Sequence, residues 1–153
     1  ETFPNLHYHC VGNPLYSTSF NTLADELDVR NHVTFYGILN HKELMTLYSN
    51  SEIVILLSET QLNGDTEGFG ISILEANYFG VPAIGSNDGG IIDAIENYYT
   101  GILVNPKDIL AIFNAVNNIV KKNEFYSNNA VDFAAKHNWN IIGKKYEDLI
   151  FEK

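Results

Sequence analysis

Arginine is all but missing from this chain. Arg30 is the only one, and lysine and arginine together number nine against nineteen aspartates and glutamates, a net charge of −10. That balance argues against a nucleic-acid surface, which needs a basic face, and disfavours an anionic membrane. It also leaves any bound anion short of side-chain cations, which usually share that work with backbone amides. Cysteine is just as scarce. Cys10 stands alone, so no internal disulfide is possible, and a reducing compartment fits. Set in the apolar run LHYHCVG, it reads as a buried, inert thiol. No apolar stretch is long enough to span a bilayer, and no signal-peptide pattern is visible. Repeats, linkers and low-complexity segments are absent too.

What is present suits one ordinary α/β domain: 153 residues, 45% of them hydrophobic and 18% charged. Short apolar runs alternate with helical periods, the pattern of a mostly parallel sheet. Residues 6–12 read as a strand ending in Gly12-Asn13-Pro14. A helix follows over 17–28, with Phe20, Leu23, Ala24 and Leu27 on one face. Residues 33–37 form a second strand. Asn40 and Glu43 make a capping box for a helix running to Ser49. The run IVILLS at 53–58 has the composition of a central strand buried on both faces. A polar loop, 59–66, precedes a helix over 70–79 and a buried strand at 81–86. Asp88-Gly89-Gly90 opens a short helix, IIDAIEN. A last strand lies at 101–104, and Pro106 stands near the start of a helix through Lys122. Helices over 123–137 and 139–152 close the chain, the last anchored by Trp139 through packing.

One segment carries chemistry. In DTEGFGISILEANYFG (65–80), Glu67 lies on a loop and Glu75 eight positions on, in the body of a helix. Between them a Gly-Phe-Gly turn leads into the helix start, where unpaired amides and the positive end of the macrodipole favour an anion. An anion site flanked by two hydroxyl-binding carboxylates suits a sugar carried on a nucleoside diphosphate. Glu75 has apolar neighbours, Ile73, Leu74 and Ala76, so its carboxylate needs a partner. On spacing alone Glu67 could equally serve only as a charge at a helix start, worth about 0.3–1 kcal/mol, and Gly68 and Gly70 only as turn-formers. Other groups fall away. His7 and His9, two apart on a strand, share a side, yet no cluster of Cys, Asp or Glu completes a metal shell. His32, His41 and His137 read as surface or loop residues. Ser58, Ser72 and Ser86 lack a nucleophile-elbow pattern.

Three segments, HVTFYGILNHKELMTLYSNSEIVILLS, EGFGISILEANYFGVPAIGSNDGGIIDAI and TGILVNPKD, stand in an order that resembles the donor-binding half of retaining glycosyltransferases of family 4. The resemblance implies a Rossmann-like doubly wound parallel sheet, the C-terminal half of a GT-B fold. Glu67 would then meet the donor sugar where transfer happens. Gly68, Phe69, Gly70 and Ile71 would meet sugar and diphosphate at the helix start, and Glu75 would accept from the ribose hydroxyls. Gly37, Ile38 and Leu39 would line the base pocket, largely through backbone, with Gly12 ending the strand beneath the nucleotide. Neither a metal nor a cofactor is expected; a UDP-, GDP- or ADP-sugar is the donor substrate. Two departures from the family's pattern stand out. The loop ETQLNGDT between Ser58 and Glu67 is longer than usual. In the family the phosphate-binding Arg and Lys lie on an earlier strand and loop that would precede this chain, which opens on ETFPNL without a methionine. Residues 1–153 are thus expected to be the donor domain of a longer protein, inactive alone, lacking its first strand and helix and an N-terminal domain for a glycan or lipid acceptor. A cytoplasmic enzyme of surface polysaccharide or glycolipid synthesis follows, with any contact at the inner face of the membrane left to the missing domain. Two other functions compete: a nucleotide-sugar epimerase of the same fold, and a non-catalytic nucleotide-binding α/β module.

Overall fold

The computed structural model describes residues 3–13 and 17–151. Pro14 of the first turn and residue 152 of the last helix lie outside the described residues. Among the described residues five strands and seven α-helices follow in order, the last three helices consecutive: β1 Tyr8–Val11, α1 Ser17–Glu26, β2 Val33–Gly37 (after a short 3-10 turn, Arg30–His32), α2 His41–Ser49, β3 Val54–Leu56, α3 Ile71–Tyr78, β4 Ala83–Ser86, α4 Ile91–Ala94, β5 Gly101–Val104, α5 Ile109–Lys121, α6 Asn123–Lys136 and α7 Trp139–Phe151. All strand pairs are parallel. Contacts gather in two compact units, one running to Thr46 and the other from Leu47 on.

The first unit is a two-stranded sheet with one helix. β1 pairs with β2 in the register Tyr8↔Val33, His9↔Thr34 and Cys10↔Phe35, slipping after Cys10 so that Val11 meets Gly37. Period-two alternation puts His7 and His9 on the same face as Thr34 and Tyr36. There His7 Nε2 lies 2.8 Å from Thr34 Oγ1, and His9 Nδ1 lies 3.0 Å from Tyr36 Oη. The expectation of a shared side for the two histidines holds, with hydroxyls as partners. Phe35, on the other face, stacks on Phe20 of α1. The expected apolar face of α1 is mostly uncovered, however: Ala24 is buried, while Phe20, Leu23 and Leu27 are about half exposed or more. A two-stranded sheet is too narrow to cover a helix face of that width. Cys10 is half-buried rather than buried, and burial pushes its thiol up from the ordinary value.

The second unit carries a three-stranded sheet in the order β3-β4-β5. β4 alternates between two apolar clusters. Ile84 points into one made with Ile102, Val104, Ala115, Ile119 and Tyr126. Ala83 points into the other, made with Ile73, Ile91, Ala94 and Ile95. Helices therefore cover both faces of the sheet, the doubly wound arrangement. Gly101 lets β4 and β5 approach: a Cβ there would stand 2.2 Å from the Ala83 carbonyl oxygen. Several expectations change. β4, not the IVILLS strand, is central, since β3 has only one neighbouring strand among the described residues and its side chains are half-buried. The helix after Pro106 starts later, at Ile109, because Asp108 caps it by accepting from the Ala111 amide at 2.9 Å. The helix in IIDAIEN is a single turn. Trp139 does not anchor α7: it is 84% exposed, and no residue of that helix is buried.

Candidate functional site

The carboxyl edge of the three-stranded sheet is drawn together by its own strand ends. Ser86 Oγ donates to the Ser58 carbonyl at 2.5 Å, and the Asn87 amide donates to the Val104 carbonyl at 2.9 Å. Ser86 thus ties β4 to β3 from a fully buried position. Onto this edge folds the polar loop 59–66, which closes on itself through Gln61 N to Asp65 O and Gly64 N to Gln61 O.

Glu67 follows that loop. Its Oε1 accepts from the Gly70 amide at 3.3 Å, across the Gly-Phe-Gly turn. Gly70 has φ +83°, a left-handed conformation that favours glycine, and it directs the chain into α3. Among the described residues the amides of Phe69, Ile71 and Ser72 have no acceptor, so the start of α3 presents unpaired donors beside Glu67. The second oxygen of Glu67 is unpartnered in the same sense. One turn and more along the helix, Glu75 is half-buried and has the partner its apolar setting demanded: Tyr48 Oη donates to its Oε2 at 3.3 Å. Burial, and then the Glu75 charge, push the Tyr48 phenol up to about 12. The phenol therefore stays a donor through the physiological range.

A second segment completes this part of the site. The turn after β4 packs backbone to backbone against the loop: the Gly90 amide donates to the Glu67 carbonyl at 2.8 Å. A Cβ on Gly90 would lie 1.9 Å from the Gly68 carbonyl oxygen, so glycine is needed there for space. Asp88, in the same turn, accepts from the Thr60 amide and hydroxyl at 2.7 and 3.0 Å and from the Gly89 amide at 2.8 Å. Those bonds, the Thr60 amide first, hold its carboxyl below the usual carboxylate range. Lys107 reaches Glu59 at 2.8 Å, an exposed pair that brings a sequence-distant cation to the foot of the loop.

The other expected positions stand in the first unit, at its strand ends. The Gly12 amide donates to the Gly37 carbonyl at 2.9 Å, and Gly37 is left-handed at φ +69°. Both border an open cavity of about 480 Å³ that Cys10, Phe20, Asn21, Arg30 and Phe35 also line. Ile38 is 80% exposed and Leu39 half-buried.

The family described as "Glycosyl transferases group 1" matches residues 1–136. The chain belongs to that family. A group 1 relative, the GDP-mannose-dependent alpha-(1-6)-phosphatidylinositol monomannoside mannosyltransferase of Mycobacterium tuberculosis, is 33% identical over 107 residues, covering 69% of this chain and 28% of the relative. A glycosyltransferase of Methanocaldococcus jannaschii is 33% identical over 127 residues, covering 80% of this chain and 31% of its own length. Among solved structures, the Anabaena HepE protein in complex with UDP and glucose superposes with a TM-score of 0.80 at 23% identity, over 95% of this chain and 41% of HepE. A glycosyltransferase of Rickettsia africae gives 0.81 at 20% identity, over 97% of this chain and 40% of its own. The fold is that of the C-terminal domain of GT-B glycosyltransferases, as the motifs implied. The chain spans about a third of the length of the curated relatives it matches.

In this group 1 chain the second unit brings together Glu67, Gly68, Phe69, Gly70, Ile71 and Glu75, and the first unit brings together Gly12, Gly37, Ile38 and Leu39. Sequence reasoning missed Tyr48, hidden in a helix read only for its cap, and Asp88, read only as the start of a turn. His137, read as a surface or loop residue, stands half-buried in the turn between α6 and α7. Its Nδ1 lies 2.8 Å from the Phe133 carbonyl, and its ring packs 4.2 Å from that of Phe133 and 6.3 Å from that of Phe69. No group of three or more metal-ligating side chains exists among the described residues. No helix among them is long and apolar enough to cross a membrane.

Proposed function

We propose that this chain binds the donor of a retaining glycosyl transfer, a sugar carried on a nucleoside diphosphate. One observation carries the reading: the start of α3 offers the unpaired amides of Phe69, Ile71 and Ser72 to an anion, with the half-buried carboxylates of Glu67 and Glu75 on either side. The diphosphate meets the amides, Glu67 faces the sugar, and Glu75, steadied by Tyr48, accepts from ribose hydroxyls. Gly37, Ile38 and Leu39 contribute backbone groups to the base. Relatives named for GDP-mannose and a neighbour solved with UDP and glucose support a nucleotide sugar and leave the base open.

Transfer on one face of the sugar fits these groups. The acceptor oxygen bonds to the anomeric carbon as the bond from that carbon to the phosphate oxygen breaks. The departing diphosphate takes the acceptor's proton. Glu67 orients the ring and stabilises the positive charge that develops on it, and the amides stabilise the leaving group. A trapped sugar ester on Glu67 would overturn this route in favour of a covalent intermediate. The acceptor domain, the phosphate-binding cations and the first strand of the sheet belong, in this proposal, to a longer protein working in the cytoplasm on a glycan or lipid acceptor. An amide-shift titration of the isotope-labelled chain with UDP, GDP, ADP and their sugar conjugates tests the donor site. Shifts at residues 37–39 and 67–75 are expected, and silence with every nucleotide through the millimolar range would sink it.

A further inference from the structure

We infer that Asp88 is a positioning residue that sets Glu67 toward the donor sugar by clasping both feet of the loop 59–66. The inference rests on the donor-site reading above and adds to it the part that fixes the geometry. At the first foot, Asp88 Oδ2 accepts from the Thr60 amide at 2.7 Å, and Oδ1 accepts from the Thr60 hydroxyl at 3.0 Å and from the Gly89 amide at 2.8 Å. Three donors converge on one side chain, and only an ionised carboxylate offers acceptors alone at both of its atoms.

The second foot is reached through a directed relay. The Thr60 hydroxyl has one proton, and it goes to Asp88, so in the 3.0 Å contact between Thr60 Oγ1 and Thr66 Oγ1 the proton must come from Thr66. Thr66 is the residue before Glu67. The turn that carries Asp88 presses on the same foot. A Cβ on Gly89 would stand 2.4 Å from Thr66 Oγ1, and the Gly90 amide holds the Glu67 carbonyl. Asp88 is thereby linked to the backbone on both sides of the loop, while the ion pair of Lys107 with Glu59 is exposed and reaches the first foot only.

Asp88→Asn is the sharp variant. Its shape is unchanged, but an NH₂ replaces one acceptor and, whichever way the amide turns, faces a backbone amide donor to donor, that of Thr60 or that of Gly89. Two measurements on the 153-residue chain bear on it. The first is amide hydrogen exchange without ligand: in Asp88→Asn the amide of Thr60 or of Gly89 should exchange about tenfold faster while Ile84 of β4 is unchanged. The second compares UDP-glucose with UDP, and GDP-mannose with GDP. Asp88→Asn should lose about tenfold of the conjugate's advantage over the bare diphosphate, with diphosphate affinity held within about twofold. Thr60→Val keeps the amide bond and breaks the relay, so it should show a smaller loss of the same kind, and it serves if Asp88→Asn does not fold. A wild-type chain that binds no nucleotide sinks the donor-site reading. A wild-type chain that binds, beside variants that keep the full preference for the conjugate, sinks this inference alone. Equal losses for conjugate and bare diphosphate also overturn it, since they would mark Asp88 as general scaffold.

Discussion

The two units of this chain are written in the same sequence idiom and packed to different degrees. Each alternates parallel strands with helices. Yet among the described residues Ala24 is the one hydrophobic residue buried in the first unit, whereas the second buries many, in clusters on both sides of β4. β1 and β2 give one face to α1 and the other to a ladder of histidines and hydroxyls. β4 has a strand on each side and helices over both faces. Burial follows from the number of neighbours an element has, and apolar spacing supplies only the residues that neighbours could cover. The consequence for function is a division between a firm platform, which holds Glu67 and Glu75, and a lighter element that offers strand ends.

Paired substitutions, one in each unit, can break or sharpen that contrast. The largest gap should appear between Ile84→Ala and Phe20→Ala. Ile84 has no exposed surface, and truncating it should cost about 2–5 kcal/mol in chemical denaturation, whereas Phe20, half exposed, should cost well under half as much. Similar losses would show the first unit to be packed as firmly as the second. Next come two glycines kept for different reasons. Gly90→Ala forces a Cβ onto the Gly68 carbonyl and should displace the amide signals of residues 67–70, with a stability loss of about 1–3 kcal/mol. Gly37→Ala meets no atom within 4 Å and pays only for its left-handed backbone, about 1 kcal/mol. The smallest gap separates two phenols. Tyr48→Phe removes the half-buried bond to Glu75 and should cost about 1 kcal/mol with a measurable loss of nucleotide affinity. Tyr36→Phe removes an exposed bond to His9 and should change stability by less than about 0.5 kcal/mol.

Much of this was legible from residue order. The capping box formed as read: Glu43 N to Asn40 Oδ1 and Asn40 N to Glu43 Oε2, both at 3.0 Å. β2, β5 and the fully buried β4 lie where their apolar runs predicted, because composition and flanking turns set a strand locally. Glu67 and Glu75 fell on loop and helix as their spacing required. What failed was everything decided at a distance. The IVILLS run has a central strand's composition, yet among the described residues it pairs with one strand alone and is half-buried, and Trp139 has the bulk of an anchor without a surface to grip. The site's supports were hidden for the same reason. Tyr48 meets Glu75 across 27 positions and Asp88 meets Thr60 across 28, separations that no local pattern encodes.

The loop 59–66 is fastened at its feet and held at its tip only by its own turn, where Leu62 is fully exposed and the backbone turns through a left-handed Gly64. Lengthening such a tip is inexpensive, since doubling a loop adds only about 0.6 kcal/mol of closure entropy. The tip is therefore a docking port for engineering: a fluorophore, an affinity tag or a small folded insert between Leu62 and Gly64 could report on the site, while the feet keep Glu67 where it stands.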